Sequence, residues 1–137
     1  VYNLNISDSS IDMIFSHQLF HHISNQTRVL EEFFRILMPG GLILMSESCR
    51  SFINSLPIRL LFRHPMHVQK TAAEYVELVK SRGFEIDENE IKTSRPWWSR
   101  KDFGLTEKMG LPQKQQEMTE IFLIARKPLF IGAHRDR

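Results

Sequence analysis

Glycine is scarce in this chain and badly placed for one common task. The six glycines lie at 40, 41, 83, 104, 110 and 132, and no two form Gly-x-Gly. Within these residues that excludes the strand-to-helix loop whose bare backbone approaches the phosphates or ribose of a nucleotide-like cofactor. Cysteine is scarcer still. Cys49 stands alone, so no internal disulfide can form, and the pattern suits a reducing, cytoplasmic setting. No apolar run approaches the roughly 20 residues that span a bilayer, and no basic, apolar, small-residue order marks a secretion signal. Acidic residues are missing between Glu47 and Glu74, where Arg50, Arg59, Arg63 and Lys70 occur.

What remains is the composition of an ordinary globular domain. At 137 residues, 42% hydrophobic and 25% charged, the chain suffices for one domain that buries roughly two thirds of its unfolded surface. The net charge of +2 is uneven: residues 1–91 carry 8 basic and 11 acidic side chains, residues 92–137 carry 10 and 5. Such a basic end attracts anions, but solvated surface charge is the simpler reading.

Two short continuous apolar runs, Met13-Ile14-Phe15 and Leu42-Ile43-Leu44-Met45, have the pattern of parallel strands covered on both faces. Between them Val29, Leu30, Phe33, Phe34 and Leu37 recur at helical spacing, with Ser24 or Asn25 placed to cap the start. Pro39-Gly40-Gly41 reads as the stop of that helix. Residues 48–70, interrupted by Pro57 and Pro65, read as a loop with short helical pieces. A capped helix follows from Thr71 and ends at Arg82-Gly83, before a strand at Phe84-Glu85-Ile86. A long polar connection leads to a last strand, Ile121 to Ala125.

The stretch Leu4 to His22, with its polar turn Ser7-Asp8-Ser9-Ser10, the Asp12 strand entry and Leu19-Phe20-His21-His22, followed by Arg35-Ile36-Leu37-Met38-Pro39-Gly40-Gly41, resembles the central segment of class I S-adenosylmethionine-dependent methyltransferases. Asn5 stands where that family usually has proline, and Ile6 and Ile11 where it has phenylalanine. The resemblance implies an α/β fold, the C-terminal half of a Rossmann-like methyltransferase sheet. Its strands would be the fourth, fifth, sixth and seventh of the family order 3-2-1-4-5-7-6, with helices on the faces of the sheet. Residues 1–47 would supply strand, helix and strand, 48–70 an insert or lid, 71–127 helix, strand, loop and last strand, and 128–137 a tail. The fourth strand, without its usual neighbour, would offer an open edge for self-association.

The same resemblance implies methyl transfer from S-adenosylmethionine to a small-molecule acceptor, with Val1, Ser16, His17, Gln18 and Leu19 beside the cofactor. Without a glycine-rich loop the chain alone is expected to be inactive. The alternative is a non-catalytic, truncated or degenerate methyltransferase-like interaction module. His17, His21 and Glu47 are candidates for acid-base work. Glu47 is read either as a hydrogen-bond acceptor for substrate or as a cap on the turn that follows it. Phe52, Leu60, Phe62, Trp97 and Trp98 are candidate walls of the acceptor pocket. His17, His21 and His22 lack the further donors of a metal site. Arg95 to Lys101 mixes basic and aromatic residues, but no nucleic-acid module surrounds it. Ile58 to Phe62 with Arg59 and Arg63 offers membrane-surface contact as an alternative, but the segment is short and a membrane partner is not expected.

Overall fold

The computed structural model describes residues 2–63, 65–100, 105–111 and 117–129. Strand β1 (Ile11–His17) leads through a 3-10 turn (Phe20–His22) to α1 (Gln26–Ile36) and β2 (Leu37–Ser48). Two short helices follow, α2 (Arg50–Ile53) and α3 (Leu56–Leu61), then α4 (Ala72–Lys80), β3 (Ile91–Ser94), α5 (Leu105–Lys108) and β4 (Glu120–Arg126). The sheet order is β1-β2-β4-β3, with β1 and β2 parallel and both contacts of β4 antiparallel. In family numbering that is 4-5-7-6, the arrangement the resemblance implies.

The helices form where their ends are satisfied and one stripe is apolar. Asn25 accepts the Arg28 amide at 3.1 Å and starts α1, whose Val29, Leu30, Phe33 and Ile36 are buried. Thr71 and Glu74 exchange hydrogen bonds in a capping box at the start of α4, which buries Tyr75 and Val79. At the far end of α1 the Lys127 ammonium donates to the carbonyls of Phe34 and Leu37, both at 2.7 Å, and lies over the Phe34 ring. A cation closes the negative end of that helix. Burial lowers the lysine's pKa.

Both long helices press against the same side of the sheet. Val29, Leu30, Phe33, Tyr75 and Val79 form one cluster with Ile43, Met45, Ile121, Leu123 and Ala125. Each such side chain contributes about 1.5–3 kcal/mol through burial. The opposite side differs from the sequence reading of strands covered on both faces: Met13 is 54% and Phe15 64% exposed, paired in register with half-buried Leu42 and Leu44. A parallel crossover has one favoured hand, which fixes the side on which α1 lies. The apolar stripes of α1 and α4 then leave Met13 and Phe15 uncovered among the described residues.

Two other expectations shift for local reasons. Helix α1 already stops at Ile36, and Pro39-Gly40-Gly41 lies inside β2, where the register jumps between Ile11↔Leu37 and Met13↔Leu42. Gly40 takes φ +79°, and a Cβ on Gly41 would meet the Asp12 carbonyl at 3.0 Å. The glycines therefore serve a bulge and a close strand approach rather than a helix stop. The strand expected at Phe84 to Ile86 is reduced to a single bridge from Glu85 to Arg126, and regular pairing begins only at Ile91. Asp87 accepts the Asn89 amide and starts a 3-10 turn, which diverts the acidic run from the ladder.

The segment before β1 is fastened by one charged knot. The Leu4 amide donates to Glu32 at 2.6 Å, while Arg35 donates to Glu32, to Asp8 and to the carbonyls of Leu4 and Ile6. The Arg35 guanidinium and the Leu4 amide hold the Glu32 carboxyl at about 2, below its ordinary 4.5. A depressed carboxyl stabilises the fold above its unfolded pKa and ceases to do so as pH falls through the folded one. Stability should therefore decline between pH 4.5 and 2. In Glu32→Gln the melting temperature should vary less over that window, and the Leu4 amide should exchange faster at neutral pH. Thermal melts at several pH values with hydrogen exchange test both.

Candidate functional site

The candidate residues within the described chain lie on segments that leave or approach one end of the sheet. β1 and β2 finish there, at His17 and Ser48, and β4 starts there at Glu120, opposite Ser48 and the last residue of β3, Ser94. Ligands of open parallel sheets bind beyond such carboxyl ends. Ser16 to Leu19 leave the end of β1, Phe52 lies on α2 after β2, Leu60 and Phe62 belong to the segment beyond it, and Trp97 and Trp98 form the turn after β3. Val1 lies outside the described residues.

Glu47 organises this end. Its side chain is 0% exposed, and Oε1 accepts the amides of Leu19 and Phe20 at 2.7 and 2.9 Å. His21 Nδ1 stands 2.9 Å from Oε2. One buried carboxylate thus ties the penultimate residue of β2 to the turn that follows β1. It caps the neighbouring strand's turn, not the turn after its own strand. A buried carboxylate survives only when its oxygens are so engaged.

The loop before that turn is set by backbone geometry. Gln18 takes φ +50°, a left-handed conformation that disfavours most side chains by roughly 1–2 kcal/mol. Two contacts hold it: the Gln18 amide donates to the Ser46 carbonyl at 2.8 Å, and the Ser48 hydroxyl donates to Gln18 Oε1 at 2.8 Å. His17 is exposed and stacks parallel to Phe15, with centroids 6.0 Å apart. The buried Ser16 hydroxyl has no hydrogen-bond partner among the described residues. His21, by contrast, is buried against Glu47, so these two histidines have different surroundings.

Two glutamines that the sequence did not single out attach the insert to this site. Gln26 donates to the carbonyls of Phe20 and Val68, and Gln69 to those of His21 and Pro65. Nothing in their spacing marks them, because each joins a nearby carbonyl to one 42 or 48 residues away. On the other flank Ser51 donates to the Met118 carbonyl, the Cys49 amide to the Thr119 carbonyl, and the hydroxyls of Ser99 and Thr119 lie 2.6 Å apart. The α2 segment and the Trp97–Ser99 turn are thereby stitched to the same strand start. Phe52 is half-buried there, whereas Leu60, Phe62, Trp97 and Trp98 are exposed. Burial, with Glu120 nearby, pushes the Cys49 thiol up to about 12, so it is no nucleophile at neutral pH. No group of three His, Cys, Asp or Glu among the described residues converges as a metal site.

A parallel strand pair with its turn clamped at the carboxyl end, continued by an antiparallel strand inserted between β2 and β3, defines half of a Rossmann-like methyltransferase sheet. Comparison with known proteins agrees. Residues 1–45 match the family described as "Methyltransferase domain". A "Probable S-adenosylmethionine-dependent methyltransferase" of Mycolicibacterium smegmatis is 35% identical over 86 residues, covering 62% of this chain and 33% of that protein. The chain thus spans a third of that relative's length. The fold is shared with a SAM-dependent methyltransferase of Methanosarcina mazei (TM-score 0.61, 20% identity, 94% of this chain and 65% of that one). It is shared too with phosphoethanolamine N-methyltransferase 2 of Haemonchus contortus, solved with phosphomonomethylethanolamine and S-adenosylhomocysteine (TM-score 0.58, 18% identity, 90% and 35%). Over residues 1–45 the chain is thus similar to S-adenosylmethionine-dependent methyltransferases, and its described residues share their fold.

Replacing Glu47 with alanine should leave the amides of Leu19 and Phe20 and the His21 ring without their partner. Each buried amide costs about 1–3 kcal/mol when unsatisfied, so a loss of about 3–5 kcal/mol is expected, as for a broken buried pair. Glu47→Gln retains an acceptor for the two amides and should lose less. Chemical denaturation of the two variants measures the difference.

Proposed function

We propose that this chain supplies the carboxyl-end wall of a domain that transfers a methyl group from S-adenosylmethionine to a small acceptor, in a cytoplasmic setting. The observation that carries the proposal is the Glu47 clamp. It fixes Leu19 and Phe20 beside the strained Gln18, so the Ser16 to Leu19 loop is preorganised where a ligand of a parallel sheet sits. The donor set fits the polar methionine end of that cofactor. Ser16 has a buried hydroxyl in need of a partner, and Ser16, His17, Gln18 and Leu19 would hold the group, with Val1 beside its adenine. When bound, S-adenosylmethionine supplies an electrophilic methyl group on a sulfonium centre.

This chain's own contribution is then to position and to exclude water. Transfer in line needs the acceptor held at the methyl group, and correct placement alone supplies a large part of such a rate. Phe52, Trp97 and Trp98 are the side chains we assign to the acceptor's surroundings, with Leu60 and Phe62, both exposed, at most at its outer rim. Exposed His17 is the better placed of the candidate bases, because His21 and Glu47 are engaged with each other. His17 would accept a proton only from an acceptor that must lose one. None of the six glycines forms the cofactor loop. That loop must therefore come from residues other than these 137, and the chain alone is inactive.

A second reading rests on Met13 and Phe15. An exposed apolar face beside a strand with one unpaired edge favours association. The chain would then act as an interaction module. Under this reading Met13→Ser with Phe15→Ser should shift the purified chain toward monomer. Light scattering over a concentration series shows it, and an unchanged mass distribution would remove this reading.

Titration of the 137-residue chain with S-adenosylhomocysteine in a calorimeter tests the first proposal. No saturable binding at micromolar protein is expected, with binding restored by a co-expressed segment that carries a strand and Gly-x-Gly loop. One-site binding by the chain alone would overturn the inactive-alone part. Failure of the combined protein to bind would overturn the cofactor assignment.

A further inference from the structure

Four large apolar side chains in and just after α3, those of Leu60, Leu61, Phe62 and Met66, are turned outward. Leu60 is 82%, Leu61 72% and Phe62 57% exposed, and Met66 is exposed beside them. This is not a frayed end. Ile53 and Ser55 are buried before it, Val68 and Gln69 after it, and Gln69 ties the Pro65 carbonyl and the His21 carbonyl together. A stretch anchored at both ends still presents three consecutive large apolar residues to solvent, at a cost unless something covers them.

The charges beside them say what fits. Arg59 and Arg63 flank Leu60 to Phe62, both are exposed, and among the described residues neither has a carboxylate at ion-pair distance. No acidic residue occurs between Glu47 and Glu74. The two arginines line one groove of about 370 Å³ with Ile53, Phe62 and Met66. Apolar side chains flanked by arginines, in a stretch without acidic residues, complement a surface that is anionic outside and hydrocarbon within. No helix among the described residues is long and apolar enough to cross a membrane, so contact would be peripheral. A short segment argued little in sequence; its outward orientation is what the structure adds.

We infer that α3 and the residues after it, through Arg59, Leu60, Leu61, Phe62, Arg63 and Met66, form a peripheral docking surface for an anionic lipid bilayer. The inference does not depend on the methyl-transfer reading. The arginines meet lipid phosphates, and the leucines and the phenylalanine enter the headgroup boundary. Because α3 lies beyond the carboxyl end of β2, docking sets that end of the sheet against the lipid surface.

Cosedimentation of the chain with sucrose-loaded vesicles tests it, with spins lacking lipid as the measure of self-association. Binding to vesicles of phosphatidylcholine with 30 mol% phosphatidylglycerol is expected, with little binding to pure phosphatidylcholine and loss at high salt. Arg59→Gln with Arg63→Gln should weaken binding about twenty-five-fold, since each basic residue near the surface contributes about fivefold. Leu60→Ser with Leu61→Ser should weaken it by at least tenfold; being exposed, neither pair should alter the circular dichroism. Met13→Ser with Phe15→Ser, on the sheet face, should leave binding unchanged. No binding, equal binding to neutral vesicles, or loss only in the sheet-face variant would overturn the proposal. Binding to dispersed short-chain phosphatidylglycerol but not to vesicles would also overturn it, making the groove a site for single amphiphiles.

Discussion

The carboxyl end of this sheet depends on one buried carboxylate. Glu47 has no exposed surface and uses both oxygens, one on two consecutive amides and one on an imidazole. Through it the end of β2 dictates where the chain goes after β1, so the loop from Ser16 to Leu19 cannot move without breaking buried hydrogen bonds. Gln26 and Gln69 extend the same logic outward, each spending an amide on carbonyls of the clamped turn and of the insert. The result is a preorganised end built from polar contacts inside an apolar domain, in which both Glu47 oxygens are engaged and the buried Ser16 hydroxyl is left without a partner among the described residues.

The two sides of the sheet differ in kind. One is a closed core under α1 and α4; the other shows Met13 and Phe15 to solvent beside an unpaired strand edge. That asymmetry links the two functional readings. A face that is apolar in a parallel sheet gains by being covered, whether by further chain or by another molecule. The outward Leu60, Leu61 and Phe62 are a separate matter, since their basic flanks select a different kind of surface.

Much of the architecture was legible in the residues. The apolar runs at 13–15 and 42–45 are strands, Asn25 and Thr71 cap helices, and the sheet follows the family order. The errors arose where a local signal has two uses. Pro39-Gly40-Gly41 reads equally as a helix stop and as a strand bulge, and only the approach of the Asp12 carbonyl decides between them. Phe84 to Ile86 has strand character, yet Asp87 offers the backbone a competing turn. At the site, Glu47 was visible as the carboxylate of a strand end, but its partners lie 26 to 28 residues away, and Gln26 and Gln69 gave no signal.

The sequence by itself determined the likeness to methyltransferases over residues 1–45, the order of strands and helices, and that none of its glycines forms a Gly-x-Gly loop. These follow from local pattern: apolar period, capping residues and motif spacing. Only the tertiary structure decided that Glu47 faces inward to Leu19, Phe20 and His21, that Met13 and Phe15 are exposed among the described residues, and that Leu60 to Phe62 point outward. Those outcomes turn on which distant groups meet and which surfaces are left over after packing, and no local pattern encodes either.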